Sequence, residues 1–118
     1  LFTREFYGSC YKALHKDGIM VNQHESPFYQ EDVAAMQRAH KRIVESFPIS
    51  YVYQAHIPTY PSGHWLFGFA SKKYHPVDDL KREAFKDAKL NTRYYNPNLH
   101  VGAFSLPTYV EELLRDVE

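Results

Sequence analysis

The stretch from Tyr51 to Lys73, YVYQAHIPTYPSGHWLFGFASKK, constrains the fold more strongly than any other part of the 118-residue sequence. Residues 51–57 are β-branched and aromatic, which is typical of a strand. Residues 58–63 contain two prolines and a glycine, so they form a connection and not a helix or a strand ladder. Residues 64–71 are apolar on both alternating faces, which predicts a strand covered on both sides inside a layered α/β domain.

Helical periodicity dominates the rest of the sequence. Apolar residues recur at three- and four-residue steps from Phe2 to Leu14 and from Val33 to Phe47. Gly18 is predicted to end the first helix in a left-handed conformation, and the Ser26-Pro27 pair predicts an N-cap or a turn before the second. The full set of predicted elements comprises helices over residues 3–16, 31–47, 78–88 and 107–117, an additional strand over 19–22, and an irregular or short extended segment over 93–103.

The order of these elements predicts a fragment of a doubly wound α/β fold. The helix at 31–47 supplies the crossover that a parallel strand pair requires, whereas the short connection at 58–63 makes the last two strands antiparallel neighbours. Three strands, one of them antiparallel, with flanking helices are typical of the far half of such a fold. No GxGxxG, P-loop or Walker-type lysine is present. Since the sequence starts without Met inside a helical pattern, we expect it to be part of a longer protein.

Charge and composition argue against several classes of partner. Lys+Arg and Asp+Glu both number 14, so the net charge of zero gives no reason to expect DNA, RNA or an acidic membrane as partner. No apolar run is long enough for a membrane span, and no basic segment followed by an apolar run indicates a signal peptide. The single cysteine, Cys10, excludes an internal disulfide and favours a reducing cytoplasm.

Gln23, His24 and Glu25 are the first candidates for a site, because they follow a predicted parallel strand. The carboxyl ends of such strands are where ligands bind in open α/β sheets. Strand alternation predicts that the Gln23 and Glu25 side chains lie on the same side. The alternative interpretation is a trio that caps a helix or bonds to a loop.

Tyr60, in the segment IPTYPSG, is the second candidate. Its aromatic face attracts ammonium groups, and its hydroxyl can orient an amine. The alternative is a loop tyrosine packed on Pro61 and Trp65, and the residue taken alone favours this alternative.

The histidines do not predict a metal site. His56 and His64 can meet across the two strands with His24 nearby, but no HxxxH or CxxC spacing supports zinc. His40 lies on an apolar helical face and is interpreted as a core or rim residue. Cys10, also on an apolar helical face, is interpreted as packing and not as a nucleophile.

Four stretches of the sequence resemble one family, and they occur in the family's order over nearly the whole chain. The family is spermidine synthase, the polyamine aminopropyltransferase of bacterial type. IPTYPSG and the pattern RYYN…H…AF.LP are together highly specific for it. The four stretches are Leu1–Ile19, Val21–Ser26, Ile57–Lys72 and Arg93–Val110.

The resemblance implies a Rossmann-like fold of the class I methyltransferase type, to which this chain contributes the C-terminal portion, residues 1–118. It implies transfer of an aminopropyl group from decarboxylated S-adenosylmethionine, the co-substrate, to putrescine, giving spermidine and methylthioadenosine. Gln23 and Tyr60 match family positions that line the polyamine pocket, with Glu25 beside them as a less secure third. Trp65 is expected to pack and not to bind.

The resemblance also implies what lies outside these residues. The family's catalytic aspartate, its glycine-rich nucleotide motif and its N-terminal β-rich domain all precede the LFTREF segment. We therefore expect no catalytic residue and no bound cofactor or metal here, no synthase activity from the 118 residues alone, and self-association into a homo-oligomer through an unpaired sheet edge. Two alternatives remain: a stand-alone, non-catalytic binding domain derived from the same fold, and a related methyltransferase.

Overall fold

The structure is a three-stranded sheet in which the last strand of the sequence occupies the middle. This computed structural model describes residues 3–115 and 117. Strands β1 (Ile19–Glu25) and β2 (Ile49–His56) both pair in antiparallel fashion with β3 (His64–Ser71), giving the order β1-β3-β2. β1 and β2 therefore run in the same direction, as the crossover predicted, but they are not neighbours because β3 separates them.

Helices flank this sheet. In the described part of the chain they are α1 (Arg4–Ala13), α2 (Gln30–Ser46), α3 (Arg82–Ala88), α4 (Pro97–Ala103) and α5 (Thr108–Arg115). None of these helices is long and apolar enough to cross a bilayer. The antiparallel pair β2–β3 and the flanking helices agree with the predicted C-terminal portion of a Rossmann-like sheet.

Strand β3 is apolar on both faces, as the sequence predicts. Leu66 and Ala70 are fully buried on the face that α1, α2 and α5 cover. On the opposite face, Phe67 stacks on Tyr53 of β2. The core on the first face consists of two clusters, formed by Met36, Val52, Leu66, Val110 and Leu114 and by Tyr7, Ile43, Phe47 and Ala70.

The prediction of an irregular segment over residues 93–103 is wrong, because α4 lies within it. Asn96 is the N-cap, and its side-chain oxygen accepts a hydrogen bond from the Leu99 N–H at 2.8 Å. Pro97 occupies the first helical turn, where its fixed φ and missing N–H cost nothing. The Asn-Pro pair that suggested a break is therefore a helix start.

The predicted boundaries of α1 and α2 need correction. α1 ends at Ala13 with an extended C-cap at Leu14, and the positive-φ glycine of the described residues is Gly63, not Gly18. α2 begins at Gln30 without a side-chain cap, so Ser26 is not its N-cap. Phe2, where the predicted apolar face of the first helix begins, lies outside the described residues.

Candidate functional site

The carboxyl end of β1 contains a bulge. Gln23 pairs with Phe67 and Glu25 pairs with Leu66, and the register shifts between these two pairs. Because neighbouring residues of a strand point to opposite faces, the strict alternation that placed Gln23 and Glu25 on one side does not hold across the bulge. Glu25 has a φ of 85°, which is uncommon for a residue with a side chain.

Glu25 lies where two carboxylates come close to each other. Its side chain is half-buried, and burial raises its pKa, with a smaller contribution from the nearby Asp32 carboxylate. Asp32 belongs to the first turn of α2. Burial and the Asp32 carboxylate both disfavour the charged form of Glu25, and a bound ammonium group nearby would favour it.

His24, between the two candidate residues, turns into the core. It is 1 % exposed, and its Nδ1 accepts a hydrogen bond from the Asn22 side-chain amide at 3.0 Å. Its ring meets the His40 ring edge-on, with the centroids 5.6 Å apart. Burial, reinforced by His40, lowers the pKa of His24 to about 3. His24 is therefore a neutral core residue and does not belong to the candidate site.

Tyr60 lies in a loop whose backbone closes on itself. The Ile57 N–H donates to the Gly63 carbonyl at 2.9 Å, and the Gly63 N–H donates to the Tyr60 carbonyl at 3.0 Å. The Tyr60 ring, 44 % exposed, contacts the Trp65 ring edge-on at a centroid distance of 5.1 Å. Trp65 itself is buried, which confirms that it packs. Tyr60 thus combines the packing contact with an exposed aromatic surface.

Gln23 and the Tyr60–Trp65 pair lie on the same face of the sheet. Gln23 pairs directly with Phe67, and residues that pair directly in an antiparallel ladder share a face. Phe67 and Trp65 are two residues apart in β3 and so share that face as well. Fold geometry therefore brings an exposed amide and an exposed aromatic ring to the same side of the β1–β3 pair.

A hydrogen bond joins the two candidate segments. The Ser26 hydroxyl lies 2.9 Å from the Ser62 hydroxyl, 36 residues away in the sequence. Ser26 directly follows Glu25, and Ser62 follows Tyr60 by two residues. The end of β1 and the loop are thus one connected wall. Neither serine was predicted as part of the site, since Ser26 was interpreted as a helix cap.

His56 and His64 pair across β2 and β3, as predicted, but hydrogen bonds already occupy the His64 ring. Its Nε2 donates to the Gln54 side-chain oxygen at 2.8 Å, and its Nδ1 lies 3.1 Å from the Tyr109 hydroxyl. Burial, with a smaller contribution from His56, lowers the pKa of His64. Over residues 3–115 and 117, no group of three or more His, Cys, Asp or Glu side chains is arranged to hold a metal.

Two clefts flank the predicted residues. One, of about 320 Å³, is lined by residues that include Val21, Tyr53, Phe69 and His100 on the α4 side of the sheet. The other, of about 600 Å³, is lined by residues that include Phe28, His56 and Tyr109. Gln23, Glu25 and Tyr60 line neither of these two clefts.

A family model described as the spermine/spermidine synthase domain matches residues 1–81, well over half of the chain. The chain belongs to this family. The match includes β1, the loop of residues 57–63 and β3, so the spermine/spermidine synthase assignment covers every candidate residue.

Several relatives of the chain carry the same name. A polyamine aminopropyltransferase of Clostridium beijerinckii is 67 % identical over 114 residues, which are 97 % of this chain and 40 % of that protein. A polyamine aminopropyltransferase of Alkaliphilus oremlandii is 66 % identical over 118 residues, 100 % of this chain and 42 % of that protein. The chain therefore spans about two fifths of the length of these relatives.

Solved spermidine synthases share the fold of the chain. The enzyme from Thermotoga maritima is 40 % identical with a TM-score of 0.91, over 97 % of this chain and 40 % of that one. A spermidine synthase in complex with the transition-state analogue AdoDATO is 41 % identical with the same TM-score, over 98 % and 39 %. The antiparallel β3 between β1 and β2 is thus part of the spermidine synthase fold.

Proposed function

We propose that this chain forms the amine-binding wall of a spermidine synthase that transfers the aminopropyl group of decarboxylated S-adenosylmethionine to putrescine. Membership of the family supports the reaction class. The observation that carries the assignment of the wall is the 2.9 Å contact between the Ser26 and Ser62 hydroxyls, which joins the segment of Gln23 and Glu25 to the loop of Tyr60. These segments belong to two of the four stretches on which the family resemblance rests.

The chemistry of the wall suits a diamine. Putrescine is a dication, and carboxylate oxygens, amide oxygens and aromatic faces stabilise ammonium groups. Glu25 supplies a half-buried carboxyl group whose pKa is raised by burial and by Asp32, and Tyr60 supplies an exposed ring. Gln23 supplies an amide oxygen on the Tyr60 side of the sheet. The wall would bind and orient the amine so that one nitrogen faces the reacting carbon.

The reaction also needs a catalytic base and a binding site for the nucleotide co-substrate, and we propose that residues 1–118 supply neither. The attacking nitrogen must lose a proton, and the family resemblance assigns that step to an aspartate outside residues 1–118. The nucleotide co-substrate is likewise assigned to residues outside them. We therefore propose that the 118 residues contribute binding and positioning, with no catalytic base and no cofactor of their own.

A chimera tests the proposal. Here the 118 residues replace the matching segment of the Clostridium beijerinckii relative, to which they are 67 % identical. We expect this chimera to form spermidine from putrescine and decarboxylated S-adenosylmethionine, because the chain supplies a compatible amine wall. Mass spectrometry of the product gives the measurement.

The isolated 118-residue chain and the relative without its matching segment are the controls, and neither is expected to turn over substrate. Turnover by the isolated chain, free of longer protein, would contradict our division of roles. A folded but inactive chimera would favour the alternative of a non-catalytic binding domain. Transfer of a methyl group in place of an aminopropyl group would favour the methyltransferase alternative.

Tyr60→Leu in the chimera is expected to raise the KM for putrescine about five- to tenfold, because it removes an aromatic face that stabilises ammonium groups by about 1 kcal/mol. Tyr51→Leu is the matched control. Tyr51 is 41 % exposed, close to the value for Tyr60. It lies near the start of β2, whereas the Tyr60 loop follows the end of that strand. Equal KM values for the two variants would remove Tyr60 from the amine wall.

The predicted homo-oligomer stays a prediction. Both β1 and β2 have an outer edge with no partner strand among the described residues, and such edges favour pairing with other chains.

A further inference from the structure

We propose that Ser26 and Ser62 are positioning residues that hold the two halves of the amine-binding wall at a fixed separation. The proposal rests on the proposed function and adds to it two residues that do not themselves contact the amine. Their hydroxyls lie 2.9 Å apart and connect the end of β1 to the Tyr60 loop.

The surrounding hydrogen bonds give this link a direction. The Phe28 N–H donates to the Ser26 hydroxyl at 3.2 Å, and the His64 N–H donates to the Ser62 hydroxyl at 3.3 Å. The Ser62 hydroxyl donates to the His64 carbonyl at 3.2 Å. Because the Ser62 hydrogen has the His64 carbonyl as acceptor, we assign the hydrogen between the two serines to Ser26, which then donates to Ser62. Each oxygen then has a donor and an acceptor role, and the link ties β1 to the start of β3.

Ser26 is fully buried, so water does not readily replace its partner. Removing the Ser62 hydroxyl would leave the buried Ser26 O–H without an acceptor. Leaving a buried donor unsatisfied costs about 1–3 kcal/mol, more than the net value of an ordinary hydrogen bond. The two segments would then be expected to separate until water reaches Ser26.

Backbone strain concentrates at the same place. Three non-glycine residues with positive φ occur among the described residues, and two of them are at this link: Ser62 itself, at 71°, and Glu25, next to Ser26, at 85°. Gly63 follows with a φ of 68°. Such conformations persist only where the surrounding contacts hold them, and they cluster at functional sites. Glu25 carries the carboxylate of the wall, so the link controls where that group points.

The link also explains how Tyr60 is held although nearly half of it is exposed. The Tyr60 carbonyl accepts a hydrogen bond from the N–H of Gly63, the residue next to Ser62, and the Tyr60 ring packs edge-on against Trp65. Loss of the serine link would free the loop at its β3 end while leaving the Trp65 contact. We expect weaker amine binding and little change in binding of the nucleotide co-substrate.

The test uses the chimera described above, with Ser26→Ala, Ser62→Ala, Ser62→Gly and the double variant Ser26→Ala/Ser62→Ala. The expected result is a rise of about five- to tenfold in the KM for putrescine in each single variant, with the KM for decarboxylated S-adenosylmethionine changed less than about twofold. The double variant is expected to match the single ones, because both substitutions break one link.

Ser62→Gly separates the hydroxyl from the backbone. Ser62→Ala removes only the hydroxyl and keeps a side chain at a positive φ, whereas Ser62→Gly removes the hydroxyl with its Cβ and relieves that strain. A KM for putrescine in Ser62→Gly equal to that of the unsubstituted chimera would overturn the proposal. Ser9→Ala, at an exposed position of α1, is the matched control, and an equal rise in that variant would also overturn it.

Two further outcomes are distinct. If the serines have a merely structural role, the variants will show a lower melting temperature and a lower kcat, and their KM for putrescine will not change. That result would overturn the positioning role but not the proposed function. An unsubstituted chimera that gives no spermidine would overturn the proposed function, and this proposal with it. Faster amide hydrogen exchange at Tyr60 and Gly63 in Ser26→Ala is the expected physical signature, since Ser26 acts on the loop only across the link.

Discussion

Gly68→Ala is expected to lower the free energy of unfolding by about 2 kcal/mol, because overpacking a buried site costs about 1–3 kcal/mol. A methyl group at this position would lie 2.5 Å from Nε2 and 2.8 Å from Cε1 of His24. The His24 ring cannot move away cheaply, since it is buried and the His40 ring meets it edge-on. Urea titration of the 118-residue protein and of the variant gives the comparison.

Gly8→Ala is the matched control. Gly8 lies inside α1, and a methyl group there would meet nothing within 4 Å. Alanine is a better helix former than glycine by about 1 kcal/mol, so this variant is expected to be at least as stable as the parent. If Gly68→Ala were as stable as Gly8→Ala, the close packing of His24 on β3 would be wrong.

Acidification from pH 7.5 to pH 5 is expected to remove about 2 kcal/mol of stability through His24 alone. Its pKa is about 3 in the folded protein, against an ordinary value of 6.5. Between these two values the unfolded chain binds more protons than the folded one. The contribution is therefore fully present above about pH 6.5 and is lost progressively as the pH falls towards 3.

His24→Asn isolates this contribution. Asparagine offers an oxygen to the Asn22 amide and does not titrate. The variant is expected to be less stable at pH 7.5, because a ring is lost from the core, but to lose about 2 kcal/mol less than the parent between pH 7.5 and pH 5. The same pH dependence in both proteins would assign the acid sensitivity to other groups.

Sequence patterns predicted β3 with its observed bounds, because hydrophobic alternation on both faces has one simple structural solution. Sequence patterns gave a wrong prediction at α4, where Asn96 and Pro97 were interpreted as breakers of regular secondary structure. Asparagine before proline is equally suited to start a helix, since asparagine caps the free N–H groups and proline fits the first turn. Local residue type alone does not separate a helix start from a turn.

The residues of the candidate site could be selected from the sequence, but their arrangement could not. Gln23 and Glu25 were singled out by their place at the end of a strand, and Tyr60 by its proline-flanked loop, but it was the family resemblance that favoured a binding role for Gln23 and Tyr60. The bulge between Gln23 and Glu25 was not predictable, because it depends on how β1 meets β3 and leaves no mark in β1 itself. The Ser26–Ser62 contact joins residues 36 positions apart, and no local pattern reports such a contact.

The central position of β3 has a consequence for how the protein is made. β1 and β2 leave the ribosome before β3, yet among the described residues each of them pairs with β3 alone, and Ile19 pairs with Ser71 far along the chain. The pairing of these three strands therefore cannot begin during translation until residues 64–71 have emerged. Contacts between residues far apart in the sequence form slowly, so α1 and α2 are expected to form before the three strands pair. Until then the apolar faces of these helices are exposed to solvent.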